Sequence, residues 1–282
     1  MDAAHPDPDD DDSDRAFRHA ALVERACLRR DGDETAPVGD ILANEVAIAL
    51  VYNGVSHAVM MASPLDLEDF ATGFSLAEGI VGTISEVRDI TRTDHDRGIS
   101  LDIDIPAARF ARLKERRRAL TGRTGCGLCG IDSLDEALRP PPKVAGGPRI
   151  AAGAIARAMA GLSAGQVLNR ESHAVHAAAF AGPGGDILLL REDVGRHNAV
   201  DKLTGALARR GIDPSGGFLA VTSRCSFEIV HKAATAGIAV IAAVSAPTDY
   251  AVRLAEEAGI TLIAFARGHR HSIYTRPERL IP

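Results

Sequence analysis

Long apolar runs are missing from this 282-residue chain. Nothing approaches the roughly 20 consecutive apolar residues that a membrane-spanning helix needs. No positively charged segment followed by an apolar core opens the sequence, so the expectation is a protein that is not exported and works in the cytoplasm. Cysteine is scarce: four in the whole chain make no disulfide framework, and a CxxC pair in such a chain points to redox, metal or sulfur chemistry. An excess of positive charge is also absent. The net charge of −6 argues against general nucleic-acid affinity. Neither GxGxxG nor GxxxxGK[ST] occurs, so no Rossmann cofactor or P-loop is indicated. A zinc deaminase needs H-x-E and P-C-x-x-C. Here His173-Ala-Val-His176 has no glutamate, and Gly125 rather than proline precedes Cys126. That excludes the deaminase chemistry, although not its fold.

The stretch that is most unusual is Thr121-Gly-Arg-Thr-Gly-Cys-Gly-Leu-Cys-Gly130. Four glycines and Arg123 surround Cys126 and Cys129. Glycine loses more conformational freedom on ordering than any other residue, so this run reads as a loop. Four readings stand for the thiol pair: a zinc half-site, a thioredoxin-type dithiol, two inert buried thiols, or a nucleophilic thiol that carries a group from place to place. Zinc wants about four ligands, and a thioredoxin pair wants a helix start after a strand. The glycine setting suits the carrier best. Cys27 and Cys225 read as small apolar fillers.

Residues 1–20 are rich in aspartate and offer little to bury, so a disordered acidic tail is expected. An N-terminal α+β domain follows over 21–139. Its strands 45–52 and 55–61 flank Asn53-Gly54, a hairpin signal. A helix over 64–79 places Leu67, Phe70, Phe74 and Ala77 on one face. Short strands at 87–90 and 99–105, a helix at 107–117 and the cysteine loop complete it. Pro140-Pro-Pro-Lys-Val-Ala-Gly-Gly-Pro148 opens a linker at 140–150. Over 151–282 a helix (151–162) and a hairpin (174–180 with 187–191) precede a helix at 197–210. Apolar strands at 218–221, 238–244 and 260–265 then alternate with helices 226–236 and 247–258. Uninterrupted apolar strands joined by helical crossovers predict a mostly parallel sheet covered on both faces, a three-layer α/β/α sandwich.

Three polar clusters lie at strand ends, where α/β sheets bind ligands. Glu192-Asp-Val-Gly-Arg-His-Asn-Ala-Val-Asp-Lys202 offers Arg196 and His197 at a helix start, although Asp193 could be a plain helix cap. Thr222-Ser-Arg-Cys-Ser-Phe-Glu228 offers Arg224 and hydroxyls, or simply a Ser226 cap. Phe265-Ala-Arg-Gly-His-Arg-His-Ser-Ile-Tyr274, directly after the last strand, offers Arg267, His269 and Arg270 around Gly268. Together they predict a single anionic ligand pocket.

With these residues in view, the chain resembles the FdhD family, the formate dehydrogenase accessory sulfurtransferases, over about residues 40–281. The resemblance rests on Gly73-Phe-Ser-Leu-Ala-Glu-Gly-Ile80, Cys126-Gly-Leu-Cys-Gly130, the 192–202 stretch and the ending Tyr274-Thr-Arg-Pro-Glu-Arg-Leu280. It implies a C-terminal domain similar to the cytidine deaminase fold, and a homodimer. It also implies a persulfide sulfur taken from a cysteine desulfurase and passed to the molybdenum cofactor, bis(molybdopterin guanine dinucleotide), before insertion into formate dehydrogenase apoprotein. Cys126 matches the presumed persulfide carrier and Cys129 the second family cysteine. Phe265, Ala266, Arg267, Gly268, His269 and Arg270 match the cofactor-contacting segment, with Arg196, His197 and Arg224 as neighbours. No resident metal is implied; the alternative is a cofactor chaperone whose thiols clamp zinc. His173 and Ser223 stand where the family pattern carries glycine.

Overall fold

The computed structural model describes residues 20–121 and 140–281, with side chains of 117–121 left aside. The acidic tail and the Cys126–Cys129 loop lie outside the described residues. The chain begins with a two-stranded antiparallel ribbon, β1 (Leu22–Asp31) and β2 (Glu34–Ala43). Among the described residues, Leu22 and Ala43 at its base pack beside Leu168 and Val175, and most of the rest of the ribbon is exposed. Cys27 therefore corrects the sequence reading: it is exposed, not a core filler.

Next comes a four-stranded sheet in the order β4-β3-β6-β5, formed by β3 (Val46–Tyr52), β4 (Val55–Ala62), β5 (Asp89–His95) and β6 (Gly98–Asp104). The β3–β4 turn is the expected Asn53–Gly54 pair, with φ of 46° and 79°, the double positive φ that a type I′ turn demands. Helix α1 (Leu67–Ala77) buries Leu67, Phe70, Phe74 and Ala77 as its periodicity predicts. It starts three residues after Pro64 because Asp66 takes a left-handed φ of 52°. Helix α2 (Ala107–Thr121) runs beyond the expected 117 and sets Leu113 into the same core as Ile48, Leu50, Leu101 and Ile103.

After β7 (Ile150–Ala151), helices α3 (Ala152–Gly165) and α4 (Val167–Ser172) lead into a six-stranded sheet. Its members are β8 (His176–Ala181), β9 (Ile187–Asp193), β10 (Phe218–Val221), β11 (Val240–Ala243), β12 (Thr261–Arg267) and β13 (Arg270–Ile273), in the order β13-β12-β11-β10-β8-β9. Helices α5 (Arg196–Arg209), α6 (Phe227–Ala236) and α7 (Asp249–Ala258) join them. The sheet is mixed, which corrects the mostly parallel expectation. Only β10–β11 and β11–β12 run parallel, while β8–β9, β8–β10 and β12–β13 are antiparallel. Uninterrupted apolar strands report burial of both faces rather than strand direction. Leu219, Ile241 and Leu262 pack with Val200, Leu203, Ile229 and Leu254 of α5–α7. Phe218, Val240 and Ile263 pack with Ile155, Ala158 and Leu162 of α3.

The two halves are locked where α1 crosses α5. A Cβ on Gly73 would fall 1.8 Å from the Asp201 carbonyl oxygen, and one on Gly205 would fall 1.9 Å from that of Asp69. Only glycine lets two backbones approach so closely. Beside the crossing, Asp69 bonds Arg191 at 2.7 Å and Arg209 at 2.8 Å.

Candidate functional site

The pairing register gathers the predicted clusters along one end of the six-stranded sheet. His176 opens β8 opposite Asp193, which closes β9. Val221, the last residue of β10, pairs with Ala178 on one side and Ala243 on the other. Arg267 closes β12 opposite Arg270, which opens β13. With strands about 4.8 Å apart, the rim from β9 to β13 is about 24 Å long. The sequence expected one pocket; the structure gives a rim with a group of polar residues near each end.

At the first end, α5 begins with Arg196 and His197. His197 Nε2 lies 3.2 Å from Ser226 Oγ and 2.8 Å from Glu228 Oε2. Ser226 therefore does not cap α6 with its side chain; its hydroxyl turns to the imidazole. Glu228 alone would favour the imidazolium. Burial and the neighbouring Arg196, Lys232 and His176 outweigh it and push the His197 pKa down to about 4. With Nε2 facing the hydroxyl and carboxylate, the neutral ring can offer its Nδ1 lone pair. His176 is lowered too, by burial and then by Arg196. The buried Nε of Arg196 has no hydrogen-bond partner among the described residues, an unmet donor in a cationic corner. Arg224 stands exposed nearby in sequence.

Most of the 192–202 stretch has another task. Glu192 accepts from the Leu168 and Asn169 amides at the start of α4, at 2.8 and 3.0 Å. Asp193 and Lys202, both fully buried, pair at 2.6 Å. Asp193 Oδ1 also accepts from the Gly195 amide (2.7 Å) and Asn198 Nδ2 (3.0 Å), and Oδ2 accepts from the Ser63 amide (3.0 Å). Lys202 donates to the Ser63 carbonyl at 2.9 Å, and Asn198 to that of Met61 at 2.8 Å. Asp193 is thus not a simple helix cap. It ties the end of β4 to the turn that presents Arg196 and His197. Asp201, bonded to Lys232 at 2.7 Å, is fully buried, and that burial raises its pKa to about 6.

At the other end the 265–270 segment does not follow the last strand as expected; it forms a hairpin with β13. The register slips between Ala264 and Arg267, and Phe265 adopts a left-handed φ of 52° and is 44% exposed. A bulky residue in that region is uncommon and stores strain. Ala266 is buried, and Gly268 (φ 55°) makes the turn with His269. Arg267 and Arg270 face each other across the strands. Like charges so placed are destabilising without an anion between them. Arg267 Nε also donates to the Val244 carbonyl at 3.3 Å, joining the hairpin to the end of β11.

Cys126 and Cys129 lie outside the described residues. Cys225 is buried as predicted, and burial pushes its thiol up to about 12, so it is no nucleophile. A cavity of about 880 Å³ lies elsewhere, between the two halves, lined by Asp66, Glu68, Asp69, Arg191 and Arg209 among others; of the predicted polar clusters it touches only Glu192. Among the described residues no group of three or more His, Cys, Asp or Glu is placed to hold a metal. No described helix is long and apolar enough to cross a membrane. Sequence reasoning missed His176 and the Ser226–Glu228 pair as partners of His197. The signal available for the pair was the i, i+2 spacing at a helix start, which capping explains equally well. His173 holds a left-handed φ of 54° at the end of α4, the helix-end conformation that glycine adopts most readily.

Comparison with known proteins adds three findings. The model of the FdhD/NarQ family matches residues 43–281. A Xanthomonas oryzae pv. oryzae protein named "Sulfur carrier protein FdhD" is 50% identical over 268 residues, covering 95% of each chain. One of the same name from Cupriavidus necator is 53% identical over 241 residues, covering 86% of this chain and 84% of its own. A crystal structure from Desulfotalea psychrophila, provisionally described as a formate dehydrogenase accessory protein, superposes with a TM-score of 0.74 at 23% identity. It covers 93% of this chain and is itself covered completely.

Proposed function

Because the chain belongs to the FdhD/NarQ family, we propose that it is a sulfur carrier that relays a persulfide sulfur to the molybdenum cofactor of formate dehydrogenase. The observation that carries this reading is the likeness to proteins named as sulfur carriers across 95% of the chain. The thiols agree with it. Burial removes Cys225 as a nucleophile, and the reading assigns the relay to the glycine-flanked pair rather than to Cys27, which is exposed on the ribbon.

In this reading Cys126 thiolate attacks the terminal sulfur of a cysteine desulfurase persulfide. A Cys126–S–SH bond forms and the desulfurase leaves as its thiolate. Cys129 thiolate then attacks Cys126 Sγ. The terminal sulfur departs as hydrosulfide towards the acceptor, and the two cysteines are oxidised to a disulfide that a cellular dithiol reduces. The acceptor, bis(molybdopterin guanine dinucleotide), is cargo. Its size and its phosphates suit a rim with cations at each end: Arg196 and Arg224 near β9 and β10, and Arg267 and Arg270 on the β12–β13 hairpin. Phe265 offers an exposed ring for stacking. The reading extends to a cytoplasmic homodimer that hands the finished cofactor to formate dehydrogenase apoprotein, and to a C-terminal three-layer sandwich of cytidine deaminase type.

The test is Cys126→Ala in a strain whose formate dehydrogenase depends on this protein. Maturation is expected to be lost while the circular dichroism spectrum is unchanged. Normal maturation, or stoichiometric zinc that disappears with the substitution, would replace the relay with a zinc-clamped chaperone.

A further inference from the structure

Two surfaces of this chain lack the cover that their composition calls for. The first is the β1–β2 ribbon. A two-stranded hairpin alone in water is marginally stable at best. Each strand of this one has 10 residues, and Leu168 and Val175 support only its base. Residues directly opposite each other share a face of the ribbon. Ala26 with Gly39, Leu28 with Pro37, and Ile41 opposite Glu24 therefore form one nearly unbroken apolar side. All of them are exposed, Leu28 at 74%.

The second surface is the outer face of the four-stranded sheet. Strand β3 reads Val46-Ala-Ile-Ala-Leu-Val-Tyr52, an uninterrupted apolar run of the kind that is buried on both sides. Helices α1 and α2 pack on one side, against Ile48, Leu50 and Tyr52. The other side presents Ala47, Ala49 and Val51, paired with β4 residues that include Val59 and Met61, 61% and 49% exposed. Strand β4 is also an edge of its sheet, yet it has none of the charges or prolines that usually guard an edge. The opposite edge, β5, carries Asp89, Arg92 and Asp94.

We infer that the apolar side of the ribbon of one copy lies on the outer sheet face of a second copy, and the reverse, in a two-fold dimer. The ribbon is not free to fold back on its own sheet. Its base is held by Asn44, whose amide donates to the Ala21 carbonyl and whose Nδ2 donates to that of Ala20, both at 2.7 Å. Folding back would break these bonds and pull Leu22 and Ala43 away from Leu168 and Val175. Charge agrees with the pairing. The apolar side of the ribbon ends near its tip in Arg30, held loosely at 3.7 Å from Asp33. The outer sheet face ends in Asp102 of β6 and Asp89 of β5, neither in an ion pair among the described residues. Area agrees too. One side of the ribbon measures about 33 Å by about 10 Å. Two such contacts, each covering both surfaces, remove roughly 1,300 Å² from water, within the range of a specific interface. The inference rests on the homodimer of the reading above and supplies its interface.

The test sizes the full-length protein by light scattering across a dilution series, as wild type, Leu28→Asp and Met61→Asp. Both positions are exposed in the single chain, so an unchanged circular dichroism spectrum is expected. The wild type should be a dimer. Each variant should dissociate with a constant at least about a hundredfold higher, because two apolar side chains per dimer lose their cover. A second measurement places benzoylphenylalanine at position 28. Irradiation should give a covalent dimer whose adduct maps to residues 46–62 of the other copy. A monomeric wild type would remove the homodimer itself. A dimer that either substitution leaves intact, or whose adducts map elsewhere on the other copy, would remove this interface alone. Adducts confined to one chain would show that the chain covers its own ribbon, and would also overturn the inference. None of these outcomes depends on sulfur chemistry.

Discussion

His197 shows how one residue's surroundings decide its chemistry. Its folded pKa of about 4 lies below the ordinary 6.5 because burial and nearby cations oppose the charged ring. Between those values the unfolded chain binds a proton that the folded one refuses. The stability this group contributes is complete above pH 6.5 and is lost as pH falls towards 4. Asp201 and Glu192, both raised by burial, act in the opposite sense. The comparison must therefore be with His197→Gln. The wild-type melting temperature should fall relative to that variant between pH 6.5 and 4. Parallel curves would show that the ring is not held neutral. The roles of Ser226 and Glu228 could not be read in advance, because a serine and a glutamate at a helix start have capping duties that fit equally well. Arg196 and His197 stood out in the sequence, whereas the buried use of Asp193 and Lys202 did not. A fully buried ion pair is a tertiary fact that no local pattern announces.

Among the elements, the crossing of α1 on α5 is the most sensitive. A methyl on Gly205 meets backbone, not a side chain that can swing away. Gly205→Ala should therefore cost about 3 kcal/mol or more in denaturant unfolding, at the upper end of the usual range for overpacking. A loss under about 0.5 kcal/mol would mean that the helices slide apart freely. Helix faces, the Asn53–Gly54 hairpin and the Gly259 stop after α7 were all legible, since each depends on local periodicity or φ. Strand direction was not. The Phe265 hairpin was also missed: β12 continues to Arg267, and the chain turns at Gly268 into an edge strand with no apolar signature. The exposure of the β1–β2 ribbon was not legible either, because a sequence pattern does not say what covers a strand.

At the scale of the whole molecule, the pairing order places two cationic groups along one sheet end, with a turn anchored by the N-terminal half between strand and helix. Arg270→Ala should weaken binding of a guanine nucleotide about tenfold by calorimetry, the loss of one charge-assisted bond. An unchanged affinity would remove the hairpin from the ligand site. The central claim, that a cysteine of the glycine loop carries sulfur, is tested most directly by intact-mass spectrometry after incubation with a cysteine desulfurase and cysteine. The wild type should gain the mass of one sulfur atom, removable by a thiol reductant, and Cys126→Ala should gain none. A wild-type protein that stays unmodified, or a Cys126→Ala variant that still takes up sulfur, would contradict it.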